Sequence, residues 1–492
     1  MNGADRRRWR LLVAGTALVL AAVLVLGLVR ARPLGHDEAT YAVGARALIA
    51  GDAADDYPLY RPRAMPPLLV PGVAAGGAAW QLRLPFALIA VGHALLTMAI
   101  ARRLGGGRAA ALGFAIQVTA APWLWRACEA LSDIPAAAAL LAMTLLAIDD
   151  GARARARWWA WAGFAALGAI AIYLRYASAP AVAAIGVATL LAYPARWRAL
   201  VLAGVGVAAA VAPLLWWSRV ETGRITGVLD LSEKMGRRAY PGDGLWYYLT
   251  HWPTTVAGPV MGAVALLGLG WGLAAWWRAP AVAATGPRDV DADDALLVAV
   301  ADGRQRARRL LAVAALGQLL LLGWRVHGEG RYVFFATSAL TALGAAWLVA
   351  RPRRRAIAAW AVALAAIPSA IVTGWQLARL TEQRAGFVRA ADAIRGAAAG
   401  ERCLILTGNV PQAIWYAGCH ARVSWGPPDD ATVAGFPRVF LLEAAGQVRQ
   451  PDAAALVRPG LRWRPIACEA RPRWCVYRAE ADGVTPDRGA TP

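Results

Sequence analysis

The sequence predicts an α-helical polytopic membrane protein of about eleven transmembrane helices, followed by a small α/β domain on the extracytoplasmic side. Three observations predict it. The 492 residues are 59% hydrophobic and 17% charged, with a mean hydropathy of +0.44, which is too apolar for a soluble globule of this length. The basic residues, 52 against 31 acidic, gather in short clusters between apolar runs. From Thr381 the chain then changes to short strand-like pulses, and this tail holds four of the five cysteines.

The first apolar run, Leu11 to Val29, holds 19 residues without a charge. It is longer than a signal-peptide core and long enough to cross about 30 Å of hydrocarbon as a helix, so it reads as a retained span. Further apolar segments near 84–101, 109–125, 131–148, 158–175, 177–193, 199–217, 254–277, 309–326, 332–350 and 356–377 bring the expected total to eleven. The net charge of +21 is nearly all arginine, with Lys234 the only lysine. Nucleic-acid binding would also favour a basic chain. Here, however, the clusters at Arg6–Arg10, Arg102–Arg108, Arg153–Arg157, Arg196–Arg198 and Arg351–Arg355 separate apolar runs, as the positive-inside rule expects. The charge therefore reports topology, with no nucleic-acid partner.

This orientation starts the chain in the cytoplasm of a cell's inner or plasma membrane, and an odd number of spans places the C-terminus outside. The outer face receives a loop from about 30 to 83, a second from about 218 to 253, a short turn around His327 to Arg331, and everything after about 378. The cytoplasm receives a Pro/Gly and Asp-rich linker, Ala279 to Arg309, expected to be flexible. The domains are thus a membrane domain at 1–380, a soluble α/β domain at 381–480 and a disordered tail at 481–492.

In the tail, apolar pulses of strand length, Cys403–Thr407 and Val439–Leu442, alternate with helix-compatible stretches such as Gly386–Ala399. Cys128 belongs to the membrane region, whereas Cys403, Cys419, Cys468 and Cys475 lie in the tail. Four cysteines allow three pairings. The partners closest in sequence are Cys403 with Cys419 and Cys468 with Cys475. Disulfides imply an oxidising compartment, in agreement with the topology.

Ionisable groups beside hydrocarbon cost about 2.5 to 3.5 kcal/mol on insertion scales and need a partner, water or a task. Four places on the outer face carry them. Gly35-His36-Asp37-Glu38-Ala39-Thr40-Tyr41 follows the first span. Adjacent carboxylates cannot share one helix face, so one can enter a site while the other pairs elsewhere; an acidic cap on a helix from Ala39 to Ala50 is the simpler alternative. Glu129-Ala-Leu-Ser132-Asp133-Ile-Pro135 opens the fourth span, an ordinary helix start that topology puts at the same face. Arg325-Val-His327-Gly-Glu329-Gly-Arg331-Tyr332 is unusually polar for a short connector. Tyr60-Arg61-Pro-Arg63-Ala-Met65-Pro66-Pro67, followed by Arg83, combines arginines with a stiff, extended course.

Carboxylates and arginines together suit transfer of a sugar from a lipid phosphate to a hydroxyl or similar acceptor. The acceptor needs a carboxylate base. The leaving phosphate needs no general acid, but it does need positive charge, best supplied by a bidentate arginine. Attack opposite the leaving group inverts the anomeric carbon. No G-x-x-x-x-G-K loop, G-x-S-x-G elbow or H-E-x-x-H helix offers another chemistry. The five histidines are scattered. His36, His251 and His327 are expected outside, which leaves a divalent metal an open option without support from spacing; no other cofactor is implied. The competing function is a transporter or flippase of a lipid-linked saccharide, which would more naturally carry its charges within spans or show two related halves.

The order of an N-terminal span, Asp37-Glu38-Ala-Thr-Tyr41, the Arg61–Pro67 stretch, Asp133-Ile-Pro135 and His327–Tyr332 resembles the GT-C superfamily of glycosyltransferases. The likeness is greatest to family 39 and its relatives, the protein O-mannosyltransferases and lipid A aminoarabinose transferases, and it covers about residues 8 to 350. The resemblance implies a polyprenyl- or dolichyl-phosphate sugar donor and a glycan, lipid or protein acceptor. It makes Asp37, with Glu38 beside it, the base or acceptor-orienting carboxylate and Asp133 the second acidic residue. Arg331 and Tyr332 are then expected near the donor phosphate, with Tyr41, Arg61, Arg63, Arg83 and His327 as further substrate contacts. The aminoarabinose transferases tend to carry Lys before the Pro-Pro pair, where this chain has Met65.

Overall fold

The structure is a computed structural model that describes residues 3–30, 32–51, 57–151, 153, 155–235, 239–277, 292–423, 435–444, 456, 461–470 and 473–481. They form two compact units, the first from residues 1–28, 59–65 and 83–374 and the second from 29–58, 66–82 and 375–492.

The first unit is a helical bundle. Its elements are α1 (Gly3–Val29), most of α4 (Ala79–Val118), α5 (Ala121–Arg126), α6 (Asp133–Gly151), α7 (Trp158–Leu174), α8 (Ala179–Ala192), α9 (Trp197–Thr222), α10 (Gly227–Met235), α11 (Asp243–His251), α12 (Pro259–Ala274), α13 (Ala292–Arg325), α14 (Phe334–Val349) and the first part of α15 (Pro352–Ala398). The expected spans 84–101 and 109–125 are two arms of one element, because Gly106 at φ 76° breaks the helix in a left-handed conformation that only glycine adopts without cost. The second arm stops at Val118, and Pro122 near the start of α5 makes a separate short helix.

Each expected apolar segment is helical, but eleven crossings do not follow. Among the described residues, seven helices are long and apolar enough to cross a membrane. The segments expected at 158–175, 177–193 and 254–277 correspond to shorter apolar helices; the last is cut by a π-turn at Trp252–Val256 and by Gly258 at φ 77°. Two further expectations change. The linker 279–309 is helical from Ala292, with 278–291 outside the described residues. The loop 218–253 carries the end of α9, then α10 and α11. The apolar repeat of α13 begins where the charged stretch thins out, and helix once nucleated extends back through Arg304–Arg309.

Small residues set the bundle's spacing. A Cβ on Gly268 of α12 would lie 2.2 Å from the Leu340 carbonyl oxygen, and one on Gly344 of α14 would lie 2.1 Å from that of Val264. Such backbone proximity is how membrane helices gain contact where lipid competes equally well for apolar side chains.

The second unit holds α2 (His36–Ala50), most of α3 (Met65–Ala74), α15 from Trp375 on, α16 (Val410–Ala417) and a five-stranded sheet. Its strands are β1 (Cys403–Leu406), β2 (His420–Arg422), β3 (Arg438–Ala444), β4 (Leu461–Ala470) and β5 (Arg473–Ala481), in the order β2-β1-β3-β5-β4. β1 runs parallel to β2 and β3, and β5 is antiparallel to β3 and β4. The expected strands near Cys403 and Val439 are β1 and β3, neighbours among the three interior strands. The expected helix Gly386–Ala399 is the end of α15, which stops at Ala399 (φ 52°) and Gly400 (φ 81°). One sheet face packs Ile405, Phe440, Leu442 and Val476 against Phe387, Ala391 and Ile394 of α15. The tail from 482 onward lies outside the described residues.

Candidate functional site

In the first unit, four helix ends bring charge together. Asp133 opens α6, where its carboxylate favours the helix N-terminus. It is almost fully buried and accepts a hydrogen bond from Nη1 of Arg175, the residue that ends α7. Its other oxygen lies 3.9 Å from Nη1 of Arg331. The Arg175 guanidinium rests 4.0 Å over the Tyr332 ring and reaches Ser132 Oγ at 3.5 Å. Arg331 also donates through Nε to Glu329. On α5, Arg126 donates to Glu129 at 2.8 Å while its guanidinium covers the Trp125 ring at 3.7 Å. Three arginines are therefore held by three carboxylates in one cluster, each guanidinium orientated before any ligand arrives.

A cleft of about 400 Å³ opens against this cluster, lined by Pro122, Trp125, Arg126, Tyr247, Thr255, Glu329, Gly330 and Arg331. Its floor exists because the 326–331 turn lies hard against the segment 243–256. A Cβ on Gly330 would meet the Thr255 carbonyl oxygen at 2.3 Å, and one on Gly328 the Tyr247 Cβ at 2.4 Å. Tyr247 is fixed by a 2.9 Å hydrogen bond to Thr255 Oγ1 and by stacking on His251 with centroids 4.5 Å apart. Gln318 of α13 pins the start of α14, donating to the Tyr332 carbonyl at 3.2 Å and accepting from the Ala336 amide at 2.9 Å.

The electrostatics follow from this packing. Burial raises the Glu329 carboxyl, but Arg331, then Arg126 and Arg175, overcome it and hold the group below its ordinary value. Burial likewise raises Asp243, and the Ala239 amide and the His327 ring outweigh it, leaving that carboxyl lowered. His327 Nδ1 sits 3.0 Å from Asp243 Oδ2, so the histidine anchors the turn. Burial pushes the Tyr248 phenol up, which keeps it neutral.

Of the residues singled out in the sequence, Asp133, Arg331 and Tyr332 meet in this cluster, and His327 lies in the adjoining turn. The Arg61–Arg63 stretch is tied to the Arg175 turn: Tyr176 donates to the Arg61 carbonyl at 3.2 Å, and the Ala64 amide to the Tyr173 carbonyl at 3.2 Å. Arg63 itself lies 4.2 Å over the Trp217 ring, and Arg83 is buried in the same unit. The residues that sequence reasoning passed over are Arg126, Arg175, Tyr247 and Thr255. A signal existed for the arginines, since each is a single cation at the end of an apolar run. Nothing in sequence marked Tyr247 or Thr255.

Asp37, Glu38 and Tyr41 belong to the second unit, on α2. This helix begins at His36, three residues before the expected Ala39, because Glu38 folds back to accept the Gly35 amide at 2.8 Å. Glu38 is 1% exposed and also accepts from Arg384 at 3.2 Å. Tyr41 is buried, whereas Asp37 in the same first turn is partly exposed. Cys403 is bonded to Cys419 and Cys468 to Cys475, while Cys128 is a buried thiol. Among the described residues, no three His, Cys, Asp or Glu side chains converge to hold a metal ion.

The sequence matches no protein-family model and no curated protein. Solved structures do resemble the chain. ArnT from Cupriavidus metallidurans in the apo state superposes with a TM-score of 0.65 at 17% identity, over 96% of this chain and 98% of that one. The same protein bound to undecaprenyl phosphate gives 0.64 at 18%, over 95% and 97%. The archaeal oligosaccharyltransferase AglB from Archaeoglobus fulgidus, in complex with an inhibitory peptide and a dolichol-phosphate, gives 0.54 at 12%, over 89% and 70%. Agreement along nearly the whole length of ArnT shows that this multi-pass chain has the ArnT fold.

Proposed function

We propose that the chain is a membrane glycosyltransferase that takes a sugar from a polyprenyl-phosphate donor and passes it, with inversion, to an extracytoplasmic glycan, lipid or protein acceptor. The observation that carries this reading is the cleft lined by Arg126 and Arg331, each already held by a carboxylate, together with the aromatic rings of Trp125 and Tyr247. A phosphate leaving group gains from such fixed donors because they pay no reorganisation cost as charge develops. The fold points the same way, since ArnT has been solved with undecaprenyl phosphate and AglB with a dolichol-phosphate.

In this mechanism the acceptor hydroxyl gives its proton to Asp37 as its oxygen bonds to the anomeric carbon. The bond from that carbon to the phosphate oxygen breaks, and the electron pair leaves with the phosphate toward Arg331 and Arg126. Asp133 orients Arg331 and Arg175, and Tyr332 backs Arg175. Asp37 is assigned as base in preference to Glu38 because Glu38 is 1% exposed whereas Asp37 is partly exposed. Two disulfides in the C-terminal domain and the arginine clusters between spans support a cytoplasmic N-terminus and an extracytoplasmic C-terminal domain.

The test is direct. Protein in lipid nanodiscs is given a panel of polyprenyl-phosphate sugars, and release of polyprenyl phosphate is followed. Wild type is expected to turn over. Asp37→Asn should lose about 10²- to 10⁴-fold in kcat, the range of general-base catalysis, while Arg331→Gln should lose donor affinity and rate together. Turnover by Asp37→Asn at the wild-type rate would remove Asp37 from its role, and no release from any donor would favour transport.

A further inference from the structure

Within the first unit, His93 is an ionisable side chain that stands outside the cleft. It lies in the first arm of α4, inside an apolar span, and is fully buried. Such a group within a span is expensive and marks a task. Its Nε2 lies 3.4 Å from Ser338 Oγ of α14. Ser338 gives its one hydroxyl proton to Gln117 Oε1, in the second arm of α4, at 2.8 Å. The serine oxygen therefore accepts from the imidazole, and the neutral ring carries its proton on Nε2. The same ring stacks on the Trp123 indole of α5, with centroids 5.8 Å apart and 24° between the planes. All four side chains are 1% exposed or less.

Stability does not account for this set. Among the described residues, none bonds to His93 Nδ1, Gln117 Nε2 or Trp123 Nε1. A buried polar group without a protein partner costs free energy that an apolar group of the same shape does not. The position of the set suggests what it does instead. α5 has six residues, too few to hold its own place by internal hydrogen bonds. Pro122, Trp125 and Arg126, spaced as neighbours on one helix face, line the cleft. Trp123 and Leu124 lie off that face and are buried. The place of Arg126 therefore follows from the seat of Trp123, and that seat is His93. Ser338, which holds His93, stands about one turn into α14, the helix that begins at Phe334 just after Arg331 and Tyr332. The polar set thus links α5, which carries Arg126, to the helix that follows Arg331.

We propose that His93 is a positioning residue for the cleft: held by Ser338, it seats Trp123 and so sets Arg126 at a fixed distance from Arg331, the spacing that a phosphate between them needs. This inference rests on the reading of the cleft as the site of a polyprenyl phosphate.

Binding of farnesyl phosphate, with farnesol as the phosphate-free control, tests it on the full chain in lipid nanodiscs. Wild type should prefer the phosphate, and Arg126→Gln should weaken that binding. His93→Phe keeps a ring against Trp123 but loses the bond to Ser338. It should melt at or above the wild-type temperature, because it also removes an unbonded nitrogen, yet raise the Kd for farnesyl phosphate by about 2- to 30-fold. In the Arg126→Gln background the same change should do much less, since its effect runs through Arg126. His93→Gln, which keeps an N–H for Ser338, should bind more tightly than His93→Phe. If His93→Phe does not fold, Ser338→Ala enters the same cycle with the same expectation. Undiminished affinity in the folded variant, or an equal loss with and without Arg126, would overturn the proposal alone. A wild type that binds farnesyl phosphate no better than farnesol would remove the phosphate reading of the cleft and this proposal with it.

Discussion

Asp37 and Glu38 are neighbours with different fates because successive helical residues point about 100° apart. Glu38 turns inward to the Gly35 amide and Arg384, and Asp37 is left at the partly exposed edge of the same turn. Glu38→Gln should therefore lower stability by about 1–3 kcal/mol, since it leaves Arg384 near a neutral partner. Denaturation of the variant beside wild type checks this, and an unchanged midpoint would show that the Arg384 contact contributes nothing. Acid gives a second reading at this scale. Glu329 and Asp243 titrate below their ordinary values of 4.5 and 3.8, so both bind protons more weakly folded than unfolded. The stability they contribute is full above those values and is lost as pH falls through the lower folded ones. The melting temperature should hold from neutrality to about pH 5 and fall below about pH 4, and Asp243→Asn should blunt that fall. An identical acid profile in the variant would show that the His327 turn contributes nothing to it.

Among the elements, the close contact of α12 with α14 is the most sensitive feature, because neither backbone can yield to a side chain. Gly344→Ala sets a methyl 2.1 Å from the Val264 carbonyl oxygen. It should cost about 1–3 kcal/mol, the usual range for overpacking. Gly374→Ala, with nothing within 4 Å, should be neutral or slightly stabilising. Melting of both variants in one detergent makes the comparison, and equal effects would place the glycines among replaceable residues. The same reasoning explains the sequence His327-Gly328-Glu329-Gly330-Arg331: the polar residues carry the charge, and the two glycines let the turn approach Tyr247 and Thr255. The alternation was legible in the sequence as polarity alone. Its glycines had no visible purpose until the segment 243–256 was seen beside them.

At the scale of the molecule, the second unit depends on covalent closure. The bond between Cys403 and Cys419 closes a loop of 16 residues, which is worth about 3 kcal/mol on chain entropy. Cys403→Ser with Cys419→Ser should lower the unfolding free energy of the C-terminal domain by about 2–4 kcal/mol, measured by its near-ultraviolet transition in denaturant, and an unchanged midpoint would rule the bond out as a stabiliser. The sequence by itself determined that the chain is a multi-pass helical protein with an α/β tail, and it marked Asp133, Arg331 and Tyr332 as charge or polarity at helix ends. Those are sums of local properties, since run length, exclusion of charge and strand-length apolar pulses need no partner to be read. It did not determine the number of crossings, because Gly106 and the π-turn at Trp252–Val256 alter helices whose composition looks uniform. Only the tertiary structure decided that Arg175 meets Asp133, that Glu38 is spent on Arg384, and that Trp125 and Tyr247 face the arginines. The rotation and depth of each helix fix those meetings, and they are set by packing between segments far apart in sequence, such as Gly344 on Val264, which no local pattern encodes.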